Sequence, residues 1–157
     1  MRTTSMILAA SGGFLLAVLW MDLMFDVQAL RARHREPELP EPVLASIAAY
    51  YRRVTTDASP MGHLVAVAMA ITLITLAVQI ARGQGPRWLA PASLLLCGAP
   101  ILLAILRVVP NAVRLGARKD PALRQSALAR SICRDHLLCF AGILAFVALQ
   151  LSATLQE

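Results

Sequence analysis

A chain of 157 residues has room for one compact unit rather than two, and its 58% hydrophobic and 15% charged side chains set it apart from ordinary soluble domains, which run at roughly 45–50% apolar and about 25% charged. The formal charge of +6 does not point to nucleic acid: the basic residues flank apolar segments, as membrane topology and anionic headgroups require, and no aromatic-rich basic platform or binding motif accompanies them. Cys97, Cys133 and Cys139 form no CxxC pair and give neither a disulfide framework nor zinc-ligand spacing, so they read as small apolar packing residues.

The first apolar segment covers about residues 6–27. Arg2 precedes it as in a secretory leader, but no small-x-small cleavage site follows, and Trp20, Asp22 and Phe25 are out of place in one, so the segment reads as a retained span. Near its end Asp22 and Asp26 stand four residues apart, on one helical face with Ser11. The connector "RARHREPELPEP" is charged and proline-rich and reads as irregular, with His34 in solvent. After it, "EPVLASIAAYYRRV" places Val43, Leu44, Ile47, Tyr50, Tyr51 and Val54 close to helical spacing. This predicts a short amphipathic interfacial helix, either a headgroup anchor or a lid over an entry path.

The second span, about 60–82, carries His63 in its first turn, turned away from a Thr72, Thr75, Gln79 stripe. In the third, about 88–110, Ser93, Pro100, Arg107, Asn111 and Arg114 follow a three-four rhythm. The fourth, about 132–154, has a stripe of His136, Cys139, Ile143, Phe146 and Gln150, and an amphipathic lead-in opened by Asp120 as N-cap and Pro121 at the first helical position. Each segment is about long enough to cross a ~30 Å hydrocarbon layer at 1.5 Å per residue. The expected fold is all-α, a single-domain integral membrane four-helix bundle with loops at 28–59 and 111–131. Of the 15 Lys and Arg residues, 12 lie in those two segments or just beside them, at Arg107 and Arg134. Positive-inside bias therefore puts both loops in the cytoplasm and both termini outside the inner (plasma) membrane.

Side by side, the spans bring their strongly polar residues to one level, the cytoplasmic mouth: Asp22, Asp26, His63, Arg107, Asn111 and His136. Ionisable groups inside a span are costly, about 2.5–3.5 kcal/mol each at a central position, and normally face the bundle or a wet cavity. One reading pairs Asp22 or Asp26 with Arg107 to pin helix register. The other is a site for a small hydrophobic or aromatic molecule, with Asp26, His63, Arg107 and Asn111 as ligand-binding groups, and with His136 first and Asp22 second as the catalytic base.

The stretch "VVPNAVRLGARKDPALRQSALARSICRDHLLCFAGILAF", Val108 to Phe146, resembles the second half of the anthrone-oxygenase-like family of small four-helix membrane proteins. There the third helix similarly leaves the membrane through a proline-asparagine-basic stretch, and a basic, histidine-containing turn opens the fourth. The first half is similar in layout. The resemblance implies a cofactor-independent oxygenase acting on electron-rich aromatic polyketides, and it carries onto Asn111 and His136. Where the family has a tryptophan shortly before that histidine, this chain has Ser131, Ile132 and Cys133.

Other classes stay open at the level of sequence. No resident metal or cofactor is implied, although His63 and His136 at similar depth admit a bis-histidine haem. A proton-coupled transporter would use Asp22 or Asp26 as carrier. A non-catalytic assembly subunit would use small residues, Ser11 to Gly13 or Gly98 with Ala99, to approach a second copy or another membrane protein.

Overall fold

The computed structural model describes residues 2–31, 37–57 and 59–155; His34 lies outside them. The helices are α1 (Arg2–Arg31), α2 (Glu41–Arg52), α3 (Ser59–Ala81), α4 (Leu89–Ala117) and α5 (Ala122–Leu155). No strand occurs among the described residues. α1, α3, α4 and α5 are each long and apolar enough to cross a membrane. Their outward faces are aliphatic: Ile74, Leu95, Leu106 and Leu138 are 64–69% exposed, an arrangement that suits hydrocarbon and not water. The chain is a multi-pass membrane protein built as an all-α four-helix bundle, with the short amphipathic α2 between its first and second spans.

α1 packs along α5 and also meets α3. Gly12 makes the first contact close, since a Cβ there would stand 2.6 Å from Val147 Cγ2; Gly13 and Gly98 meet no neighbouring helix within 4 Å. α3 ends in a Schellman turn: Gly83, at φ +57, donates to the Ile80 carbonyl and Gln84 to that of Gln79. The turn returns the chain so that α3 touches the Leu89–Ser93 start of α4. Farther along, α3 and α4 diverge, and that splay opens a cleft.

α4 is not a regular helix. Leu94–Gly98 and Ala104–Val108 are π-helical turns, each ending two residues before a proline, Pro100 and Pro110. Proline lacks an N–H and clashes with the carbonyl four residues back, and a widened turn relieves both faults. The extra residues rotate the remainder of the helix. The buried line runs Ser93, Cys97, Ile101, Val108, Ala112, Leu115 instead of the expected Ser93, Pro100, Arg107, Asn111, Arg114. Arg107 consequently points outward, its side chain 54% exposed.

The core has two layers. Leu8, Leu15, Leu76, Cys97, Ile101, Ile143 and Phe146 fill the bundle, and one reciprocal amide pair, Gln79 with Gln150, crosses it, with Ser93 accepting from Gln150 at 2.8 Å. At the mouth end, α4 and α5 continue as helix through most of the expected loop, leaving 118–121 between them. There α2 lays Leu44, Ile47, Ala48 and Tyr51 against Val108, Ala112, Leu115, Ala129 and Ile132. This forms a small cap. Gly116 lets α2 come close, because a Cβ there would be 2.7 Å from the Arg52 backbone nitrogen. Arg118 ties the cap's rim by donating to both oxygens of Glu41 at 2.8 and 2.9 Å. The expected N-cap Asp120 turns its carboxylate to Arg114, at 2.7 Å for both oxygens.

Candidate functional site

Between cap and bundle lies a buried polar cluster drawn from three helices. α1 reaches this level with Asp22 and Asp26, whose spacing of four puts both on the inner face. α5 brings His136 at the head of its buried stripe, all five members of which are 4% exposed or less. α2 supplies the adjacent tyrosines. Tyr51 Oη donates to Asp26 Oδ1 and Tyr50 Oη to Asp22 Oδ1, both at 2.6 Å. The His136 Nδ1–H donates to Asp26 Oδ2 at 2.6 Å, and Tyr51 Oη lies 3.4 Å from the same nitrogen. Asp26 is fully buried and satisfied through both oxygens, which is how a carboxylate survives in an apolar setting.

Asp22 is held differently. Its Oδ2 stands 3.7 Å from His136 Nε2, beyond hydrogen-bond reach. Asp26 fixes the imidazole at Nδ1, so Nε2 is the nitrogen left to face Asp22 and a reacting group. A carboxylate that orients a histidine from behind is the recurring support for a general base.

Two apolar spaces adjoin the cluster. The smaller, about 100 Å³, is lined by His136 together with Leu15, Pro100, Cys139 and Ile143. The larger is the cleft between diverging α3 and α4, about 650 Å³, with Asp22, Tyr50 and Thr55 at its polar end. Val18, Val65, Met69 and Val109 wall both, so His136 and Asp22 look into adjoining volumes. A cleft of 300–1,000 Å³ with a few convergent polar groups is the usual form of a small-molecule site.

The tyrosines lie outside the spans, and their phenols are held well above the ordinary value of 10.0, first by burial and then by the Asp22 and Asp26 carboxylates. They remain donors at physiological pH. Phe25 stacks on Tyr50 with ring centroids 4.1 Å apart, so α2 is seated by packing as well as by hydrogen bonds.

The six residues singled out from sequence separate here. Asp22, Asp26 and His136 meet. Arg107 does not neutralise the α1 carboxylates: rotated outward by the π turns, it pairs with Asp135 at 3.1 Å and donates to Ser131 at 3.2 Å. Asn111 is half-buried on α4, and His63 is exposed in the first turn of α3, outside the buried cluster. His63 and His136 are therefore not a facing pair of the kind axial haem ligation needs, since both His136 nitrogens look toward carboxylates. No group of three or more His, Cys, Asp or Glu side chains able to hold a metal occurs among the described residues.

Sequence reasoning took Tyr50 and Tyr51 for the apolar face of an anchor or lid and missed their hydroxyls. The available signal was that a phenol on a buried face needs an acceptor, and the unexplained pair Asp22 and Asp26 offered two. Asp135, in the same turn as His136, was likewise passed over as the partner of Arg107. No family model matches the chain, and no curated protein or solved structure matches it.

Proposed function

We propose that the chain sits in the inner (plasma) membrane with its cap in the cytoplasm and both termini outside, and that it binds a small hydrophobic or aromatic molecule in the cleft between α3 and α4. The observation that carries this reading is His136, backed by buried Asp26 and aimed with Asp22 at adjoining apolar spaces. The ligand's apolar body lies among Val18, Val65, Met69 and Val109, and its polar end reaches Asp22 and His136. His136 is the group that takes a proton from the ligand, and Asp22 is the neighbour that stabilises the charge so formed.

Oxidation is the finer reading. An anthrone-oxygenase-like reaction needs a base beside an electron-rich ring and access for dioxygen, and an apolar cleft whose polar end, Asp22, stands beside His136 offers the first. The resemblance over Val108–Phe146 supports it.

Native mass spectrometry of gently purified protein, with an absorption spectrum on the same sample, tests the ligand. The expected result is a co-purified hydrophobic molecule that is lost in His136→Ala. Ligand-free protein that instead co-purifies with another membrane subunit would overturn the binding reading and leave the cluster as structural glue.

A further inference from the structure

The charged groups at the polar end of the cleft do not balance. Asp22, Asp26 and Asp135 supply three carboxylates against one guanidinium, Arg107, and one imidazole, His136. Arg107 is committed to Asp135 at 3.1 Å and turned outward. His136 supplies at most one positive charge to the two carboxyls of Asp22 and Asp26, so the pair has place for one further cation, a proton or the charged end of a ligand. Phenol hydrogen bonds from Tyr50 and Tyr51 spread carboxylate charge but do not cancel it.

That place faces the cleft. Asp26 is sealed by Tyr51 and His136, whereas Asp22 lines the cleft and has one oxygen, Oδ2, with no partner nearer than 3.7 Å among the contacts of this cluster. Beside it the cleft is lined by Tyr50, whose ring is stacked on one face by Phe25, and by three thioethers, Met21, Met61 and Met69. Methionines are soft, adaptable packing partners for bulky apolar groups. In a low-dielectric wall a carboxyl oxygen without a partner is satisfied by a proton or by an entering cation, and an anion there is repelled.

We infer that the molecule held in this cleft is a lipophilic cation, an apolar body carrying a protonated amine, with its charge seated against Asp22 Oδ2. The inference rests on the ligand-binding reading proposed above and not on the oxidation reading. It excludes fatty acids and phosphate-headed lipids from the polar end, because their charge has the wrong sign.

Three probes with one common ring system separate the alternatives: naphthylmethylammonium, naphthalenemethanol and naphthoate, titrated by calorimetry into the full-length protein in nanodiscs of zwitterionic lipid. The cation is expected to bind at least about tenfold more tightly than the alcohol, with no binding of the carboxylate, and Asp22→Asn is expected to remove that preference. Asp22→Asn keeps the size of the side chain and an acceptor for Tyr50. Helical content and a melting temperature like that of the unaltered protein show that it is folded. Preferential binding of the alcohol or the carboxylate would overturn the cation inference while sparing the ligand site. Equal binding of all three, indifferent to Asp22→Asn, would reduce the cleft to a lipid-facing groove, and absence of binding by every probe would overturn both readings.

Discussion

At the scale of single residues, the cluster depends on phenols staying protonated next to carboxylates. Tyr50 and Tyr51 are the chain's only tyrosines, so a spectrophotometric titration of the phenolate band reads this site alone. Both phenols are raised above 10.0 by burial first and by Asp22 and Asp26 next. A group whose folded value is raised contributes stability that is complete below the unfolded value and is lost as pH climbs beyond it. The folded protein should therefore show no phenolate at about pH 11, where free tyrosine, of pKa about 10, is largely ionised, and the band should rise together with loss of helical signal. Phenolate appearing near pH 10 in fully helical protein would show that the tyrosines are not seated on the carboxylates.

At the scale of elements, α2 decides whether the cluster exists at all. It carries both donors, and its approach to α4 is limited by backbone rather than by a side chain, since a Cβ at Gly116 would meet Arg52 N at 2.7 Å and Arg52 Cα at 3.0 Å. Backbone cannot swing away as a rotamer can, so Gly116→Val should lift α2 off α4, at a cost of about 1–3 kcal/mol typical of overpacking. The same phenolate titration reports it. In Gly116→Val the tyrosines should ionise closer to pH 10 while the four long helices persist. An unchanged profile would mean that α2 is held by Arg118, Glu41 and the apolar contacts of the cap without need of close approach. The other decisive element feature is α4, where the π turns before Pro100 and Pro110 turn Arg107 away from the carboxylates.

At the scale of the whole molecule, the proposed orientation is open to direct labelling. Cys97, Cys133 and Cys139 are buried, so an impermeant maleimide should leave the natural chain unmodified in intact cells. Arg87 and Lys119 are exposed at opposite ends of the bundle, and cysteine placed there should divide by side: Arg87→Cys labelled in intact cells, Lys119→Cys only after permeabilisation. The reverse pattern would put the cap outside and with it the mouth of the cleft.

Much of this protein is legible in its sequence, because the bilayer imposes a simple demand. Length and aliphatic content determined four spans, the period of the α5 stripe from His136 to Gln150 determined its buried face, and the spacing of Asp22 and Asp26 placed both carboxylates at one level with His136. Those are properties of regular helices, and a sequence states them through periodicity. Only the tertiary structure decided the partners. A 3.6-residue period assumes an unbroken helix, so it aimed Arg107 inward, whereas two π turns rotate it outward to Asp135. The docking of α2 rests on long-range contacts, Tyr50 to Asp22 and Tyr51 to Asp26 across more than twenty residues of chain, and on the room left at Gly116. No local pattern encodes which acceptor a phenol will find, because that depends on how two surfaces fit once the chain has folded.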